Sequence, residues 1–284
     1  VVSKSSLKLS RSTRTNLMKA KGIEQEYFFA LRNLFQQFNQ HAIAALERGR
    51  TLEAGRVLEI SPFDLNRIAE SLILFANADI LRYASQTILK YIPAAYGKGS
   101  TFADTWLLKA GVQMTVGPNG IYDRKVINIL LTKNLTGLKG ITDEMNKGIS
   151  QSLAKGILNG EGFPEMSQRI TDKVQGIGIT RAELLARTEV QEAANQAAKT
   201  RYEQAGIEYA QWLTAHDDRV SEQDIPRDGI IFELAQGIDE GFLPGQNYQK
   251  NPDKPATIPP SHPNCRCAII PKSDEQVRAM GLID

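Results

Sequence analysis

Apolar residues recur three and four positions apart over most of the first two thirds of the chain, the spacing of helices that bury one face. Tyr27, Leu31, Leu34, Phe35, Phe38, Ala42 and Ala45 form one such stripe and predict a helix over 23–48. Gly49 follows it, and glycine readily takes the left-handed turn that ends a helix. A second helix is predicted over 61–91. Ser61 can cap its first-turn amides, Pro62 sits where a missing N–H costs nothing, and Pro93 closes it. Its stripe is Leu65, Ile68, Leu72, Phe75, Ile80, Tyr83 and Leu89. Shorter helices are predicted over 101–115, 123–134 and 142–158, with turns at VGPNG (116–120) and NGEGFPEM (159–166). Pro164 is placed to open the next helix. The aromatics lie at core spacing, which reads as packing and not as a base-stacking surface. No fixed period emerges, so a solenoid is not expected.

The pattern changes near Gly176. Thr180 stands three residues before Glu183, a capping box that predicts the start of an Ala-rich helix running to Gly206. A period of two then takes over, with Ile207, Tyr209, Gln211 and Leu213 on one face of a strand over 207–215. HDDRV is a polar turn, and an Asp228-Gly229 turn leads into a short strand over 229–234. The Gly-, Pro-, Asn- and Asp-rich stretch 237–260 reads as a long surface loop, and CRCAIIPK as a closing strand. The expected fold is therefore mainly α: a helical N-terminal region followed by a smaller α+β C-terminal module. The corresponding division is 1–21, 22–175 and 176–284.

Composition changes this picture only at the N-terminus. Hydrophobic residues make up 42% and charged residues 23%, enough for a substantial core. No apolar run approaches the ~20 residues that span a bilayer, and VVSKSSLKLS lacks the apolar centre of a signal peptide. The net charge of +2 is unevenly spread. Lys4, Lys8, Arg11, Arg14, Lys19 and Lys21 all precede the first acid, Glu24. Mixed with Ser and Thr, they read either as a solvated terminus or as a basic arm for phosphates or an acidic protein surface.

Candidate chemistry concentrates in PPSHPNCRC (259–267), which holds His262 and both cysteines, Cys265 and Cys267. Imidazole and thiolate are the usual zinc ligands, and a tetrahedral site needs a fourth donor: His216, Asp217, Asp218 or Asp224. A second reading is a rigid turn in which Pro263 fixes the backbone and the thiols are buried as small apolar groups. A third is a Cys–His nucleophile oriented by Asn264 or Asp224. Only one residue separates Cys265 from Cys267, so a reduced pair is expected in preference to a strained disulfide. Elsewhere, Glu183 precedes Arg187 by four residues, the favourable order for a helical ion pair, while Glu189 faces another way. No phosphate-binding glycine loop, paired-acid glycosidase pattern or His-Glu-x-x-His helix is present.

Taken in order, LLARTEVQEAANQA (184–197), the Trp212 strand, DDRV (217–220), the Asp228-Gly229 turn, the apolar strand after it, PPSHPNCRC and IIP resemble the C-terminal domain of phage Mu F-like minor head proteins. GILNGEGFPEMSQRI (156–170) is similar to that family's helical lead-in, so the resemblance covers about half the chain. It implies a structural role and no enzyme: a minor head protein of a tailed phage, present in few copies at the portal vertex, acting in head morphogenesis and in DNA packaging or ejection. The implied partners are the portal protein, the major capsid protein and packaged double-stranded DNA, with no membrane. The implied location is the virion head, assembled in the host cytoplasm. Its motif polar residues fall on Arg187, Glu189, Asp218 and Arg219. Many relatives carry two cysteines after the Asp-x-Arg element, where this chain has Ser221 and Asp224. Ser221 is a poor ligand. The expectation is therefore no cofactor, with zinc the alternative if Asp224 serves as the fourth donor. Without metal, the loop with His262, Cys265 and Cys267, and Asp224 beside it, is a structural clasp that fastens the last strand to the 180–206 helix and the Trp212 strand. The competing functional reading is an enzyme on the C-terminal module, ADP-ribosyltransferase-like or metal-dependent, using Arg187, Glu189 and His262.

Overall fold

In a computed structural model, the structure describes residues 17–48, 52–53, 56–57, 62–112 and 123–284. Gly49, Ser61, the VGPNG turn and the arm residues Lys4, Lys8, Arg11 and Arg14 lie outside them. The chain is mainly helical with a small three-stranded antiparallel sheet near its end, the fold class expected. Helix α1 spans Lys21–Arg48, α2 Pro62–Phe75, α3 Leu81–Lys109, α4 Arg124–Leu158, α5 Phe163–Lys173 and α6 Thr180–Gln204. Strands β1 (Leu52–Glu53) and β2 (Arg56–Val57) form a minimal hairpin. The sheet has the order β4 (Ile231–Glu233), β3 (Tyr209–Leu213), β5 (Ala268–Lys272). Short helices α7 (Ile238–Gly241) and α8 (Asp274–Ala279) complete the chain.

Three expected helix boundaries are absent. Pro93 lies inside α3, which continues to Lys109 and absorbs the helix expected over 101–115. A proline costs a helix one backbone donor and about 3 kcal/mol. Here Ile88, Ile92, Ala95, Tyr96, Ala103 and Leu107 are all buried at helical spacing on both sides of it, and that burial offsets the cost. The stop comes instead at Gly111 (φ +78), where the Val112 N–H returns to Leu107 O at 3.0 Å. The helices expected over 123–134 and 142–158 are one helix, α4, because Leu138 and Ile141 carry the buried stripe across the gap. Thr180 is not a cap. The π-helical turn Val174–Ile179 joins α5 to α6 directly, and Thr180 Oγ1 donates to Gln175 O at 3.0 Å within the continuous helix. A second π-helical turn, Ala76–Ile80, joins α2 to α3.

By internal contacts the chain forms two compact units, each discontinuous in sequence. One comprises 25–91 and 129–187. Its core includes Tyr27, Leu31, Phe35 and Phe38 of α1 and Leu138, Met145 and Ile149 of α4, and the Tyr27 hydroxyl donates to the buried Asn134 Oδ1 at 3.0 Å. The other comprises 1–24, 92–128 and 188–284. There the small residues Ala193, Ala194, Ala197 and Ala198 of α6 are buried, as are Ala210 and Trp212 on alternate positions of β3. Arg201 of α6, 2% exposed, forms an ion pair of 2.6 Å with Asp104 of α3. Tyr202 OH donates to Ile269 O of β5 at 3.2 Å.

Candidate functional site

The site is built where the loop before β5 meets the turn after β3. Asp224 immediately precedes a 3-10 turn, Ile225–Arg227, and its side chain is 1% exposed. Burying a carboxylate is costly unless it is fully bonded. Asp224 is. Its Oδ1 accepts from Ser261 Oγ (2.6 Å) and Arg227 Nη1 (3.1 Å). Its Oδ2 faces His262 Nε2 at 2.8 Å, Cys265 Sγ at 3.4 Å and Cys267 Sγ at 3.3 Å. Arg227, itself buried, also donates to Lys254 O and lies 5.6 Å from the Trp212 ring centroid.

The two thiols point to one side, where both meet Asp224 Oδ2. A turn leads into them: Asn264 has φ +64, and the Cys265 N–H closes onto His262 O at 3.2 Å. Both cysteines are buried and free. Helix α6 holds the following backbone, since Gln191 Nε2 and Asn195 Nδ2 both donate to Cys267 O, at 2.7 and 3.1 Å. The Asn264 N–H meets Thr188 Oγ1 at 3.3 Å.

The electrostatics follow from this packing. Burial alone would push the Asp224 carboxyl up, but bonds from Ser261, Cys267 and His262 outweigh it and hold it below its ordinary value. Hydrogen bonding to Cys265, aided by Pro263 O and Asp224 and opposed by burial, raises His262 to about 9. The hydrogen bond from Cys267 lowers Cys265 to about 6 against the effect of burial. Cys267 is raised, because it donates to Cys265 and a second negative charge there would sit beside the first.

Of the four donors considered for a metal, only Asp224 joins the cluster. His216 (φ +52) turns to Asp228, with Nε2 2.9 Å from Oδ1. Asp217 makes a two-pronged pair with Arg266, both bonds 2.6 Å, which holds its carboxyl down at about 2. Asp218 and Arg219 are exposed, and Arg219 Nη2 lies 3.5 Å from Asp217. Arg187 bonds Glu183 at 2.8 Å, the helical pair expected, while Glu189 is 5% exposed. Lys19 and Lys21 are exposed. Sequence reasoning missed Ser261, Arg227, Gln191, Asn195 and Asp228. Only Gln191 and Asn195 left a signal, as amides four apart on an otherwise alanine-rich helix face.

The comparisons fit this C-terminal geometry. Residues 147–270, which contain α5, α6 and the whole cluster, match the family model described as Phage Mu protein F like protein, the family that the ordered motifs resemble. An uncharacterized protein of Haemophilus influenzae is 26% identical over 155 residues, 52% of this chain and 30% of that protein. Minor head protein GP7 of Bacillus phage SPP1 is 27% identical over 142 residues, 47% of this chain and 43% of that protein. The chain thus spans less than half the length of either curated relative. No solved structure matches it significantly.

Proposed function

We propose that this chain is a minor head protein of a tailed bacteriophage, a virion component that acts at the portal vertex during head morphogenesis. The observation that carries this reading is the match of residues 147–270 to the Mu F-like family, together with the likeness to a phage minor head protein over about half of the chain. In this reading the helical region docks on the portal or the major capsid protein, and the C-terminal module is an interaction domain. The basic residues of 1–21 contact packaged DNA or an acidic ring, by charge and without sequence preference. The enzyme reading gains no support from the residues it needs, since Arg187 is engaged by Glu183 and Glu189 is buried.

The test is made in the phage. A tagged chain is expected to copurify with portal-containing head particles in substoichiometric amounts, and its deletion is expected to lower the yield of infectious particles. A chain that never sediments with heads, and whose loss leaves assembly and infectivity intact, sinks the reading. A purified chain without residues 1–21 addresses the arm: the full-length chain should retain DNA in a steeply salt-dependent way, and the truncated chain should not.

A further inference from the structure

We propose that Asp224, His262, Cys265 and Cys267 together bind one zinc ion. This does not depend on the head role. The donor set is one imidazole nitrogen, two sulfurs and one carboxylate oxygen, a combination that favours zinc over harder divalent cations. The ligand atoms of Asp224, His262 and Cys265 lie within 4.8 Å of one another, and Cys267 Sγ is 3.3 Å from the same Asp224 oxygen. In a tetrahedral site with bonds of about 2.0–2.3 Å, neighbouring ligands stand about 3.3–3.8 Å apart. The separations from Oδ2 are 2.8, 3.4 and 3.3 Å; Asp224, His262 and Cys265 are the three donors already gathered, and Cys267, which reaches them through Oδ2, must turn its thiol inward to supply the fourth.

The surroundings are arranged for a cation as well. Pro263 O lies 2.7 Å from His262 Nδ1, and a carbonyl can only accept, so Nδ1 carries a proton and Nε2 is the atom turned to the cluster. A backbone carbonyl on the remote nitrogen is the usual support of a zinc-bound histidine. Asp224 divides its two oxygens in the same way: Oδ1 is held by Ser261 and Arg227, and Oδ2 faces the other three donors. Both thiols are buried, while the His262 side chain keeps 21% of its surface exposed and gives a path inward. Binding replaces the two thiol protons, and any proton on Nε2, which leave to solvent.

The full-length chain, stripped with a chelator and then titrated with zinc or cobalt(II), tests this. Expected are about one bound zinc per chain, a rise in Tm that chelator reverses, and on cobalt the thiolate charge-transfer bands and strong visible bands of a tetrahedral centre. Asp224→Cys should keep the metal and strengthen the charge-transfer bands by adding a thiolate. Ser261→Ala, which loosens only the outer support of Asp224, should weaken zinc binding by roughly tenfold or more. If stripping unfolds the chain, zinc should restore near-ultraviolet dichroism. The proposal is overturned if the stripped chain neither binds zinc stoichiometrically nor gives a cobalt chromophore, or if zinc fails to restore a chain unfolded by stripping. It is equally overturned if a Cys265→Ser, Cys267→Ser double variant gives the wild-type cobalt spectrum.

Discussion

At the scale of single residues, the chain's conspicuous polar groups are divided between two neighbouring networks with different chemistry. Asp224 gathers His262 and both thiols, while Asp217 is committed to Arg266, the residue between the two cysteines. The Asp217 carboxyl is held down at about 2 chiefly by the Arg266 hydrogen bonds. A depressed folded-state value means that the pair stabilises the fold fully above the ordinary carboxylate value of about 4 and loses that contribution as pH falls toward 2. Asp217→Asn should therefore unfold at lower denaturant than wild type at neutral pH. The gap between the two should close between about pH 4 and pH 2. Denaturant midpoints measured across that range check this, and a gap that stays constant with pH would mean that Asp217 acts by packing alone. Histidine and cysteine were legible here because they stand within six residues of one another in an atypical stretch. Asp224, 38 residues before His262, was legible only as one of four acids or imidazoles. Ser261 and Arg227 were not legible, since nothing local marks a serine or an arginine as the partner of a buried carboxylate.

At the scale of elements, helical period announced the helices, while their ends were obscured. Pro93 reads as a stop and Thr180 as a capped start, and the chain runs helically through both because buried residues on either side outweigh the local cost. Glycines within helices show the same competition between local preference and packing. At Gly99 of α3 an added Cβ would lie 2.0 Å from Ala194 O and 2.6 Å from Ala194 C of α6. The obstacle is backbone and cannot rotate away. Gly99→Ala should therefore destabilise by about 2 kcal/mol or more by forcing the two helices apart. Gly140 of α4 is exposed and nothing lies within 4 Å of an added Cβ. Gly140→Ala should stabilise by about 0.5–1 kcal/mol, the ordinary helical preference for alanine. Equilibrium unfolding of the two variants side by side checks both signs. Equal effects would show that Gly99 does not sit at a close helix contact.

At the scale of the whole molecule, the C-terminal module that the sequence delimits at 176 shares its unit with a distant segment. The unit that holds the sheet and the zinc candidate also takes in 92–128, so α3 supplies part of its interior. The tie is specific: Asp104 meets Arg201 at 2.6 Å, with side-chain exposures of 15% and 3%, and Gly99 abuts Ala194. A fragment of 176–284 carries the family motifs but lacks the Asp104 carboxylate that faces a buried guanidinium and the helix that covers the Ala-rich face of α6. We propose that this fragment does not fold to the native module by itself. It should show weak near-ultraviolet dichroism from Trp212 and a broad, uncooperative transition, where the full chain gives a sharp one. Asp104→Ala in the full chain isolates the electrostatic part of the same dependence and should cost about 3 kcal/mol, since it removes one partner of a buried pair. A fragment that unfolds cooperatively with native Trp212 dichroism would refute the dependence on α3 whatever Asp104→Ala does. If the fragment fails and Asp104→Ala is benign, apolar cover from α3 is the larger contribution and the ion pair the smaller. The dependence explains why motif order outlined a module from 176 onward while physical coherence requires more of the chain. Sequence motifs mark the residues that meet the cluster and the sheet, whereas burial of the alanine face of α6 is completed by a helix that lies more than seventy residues earlier.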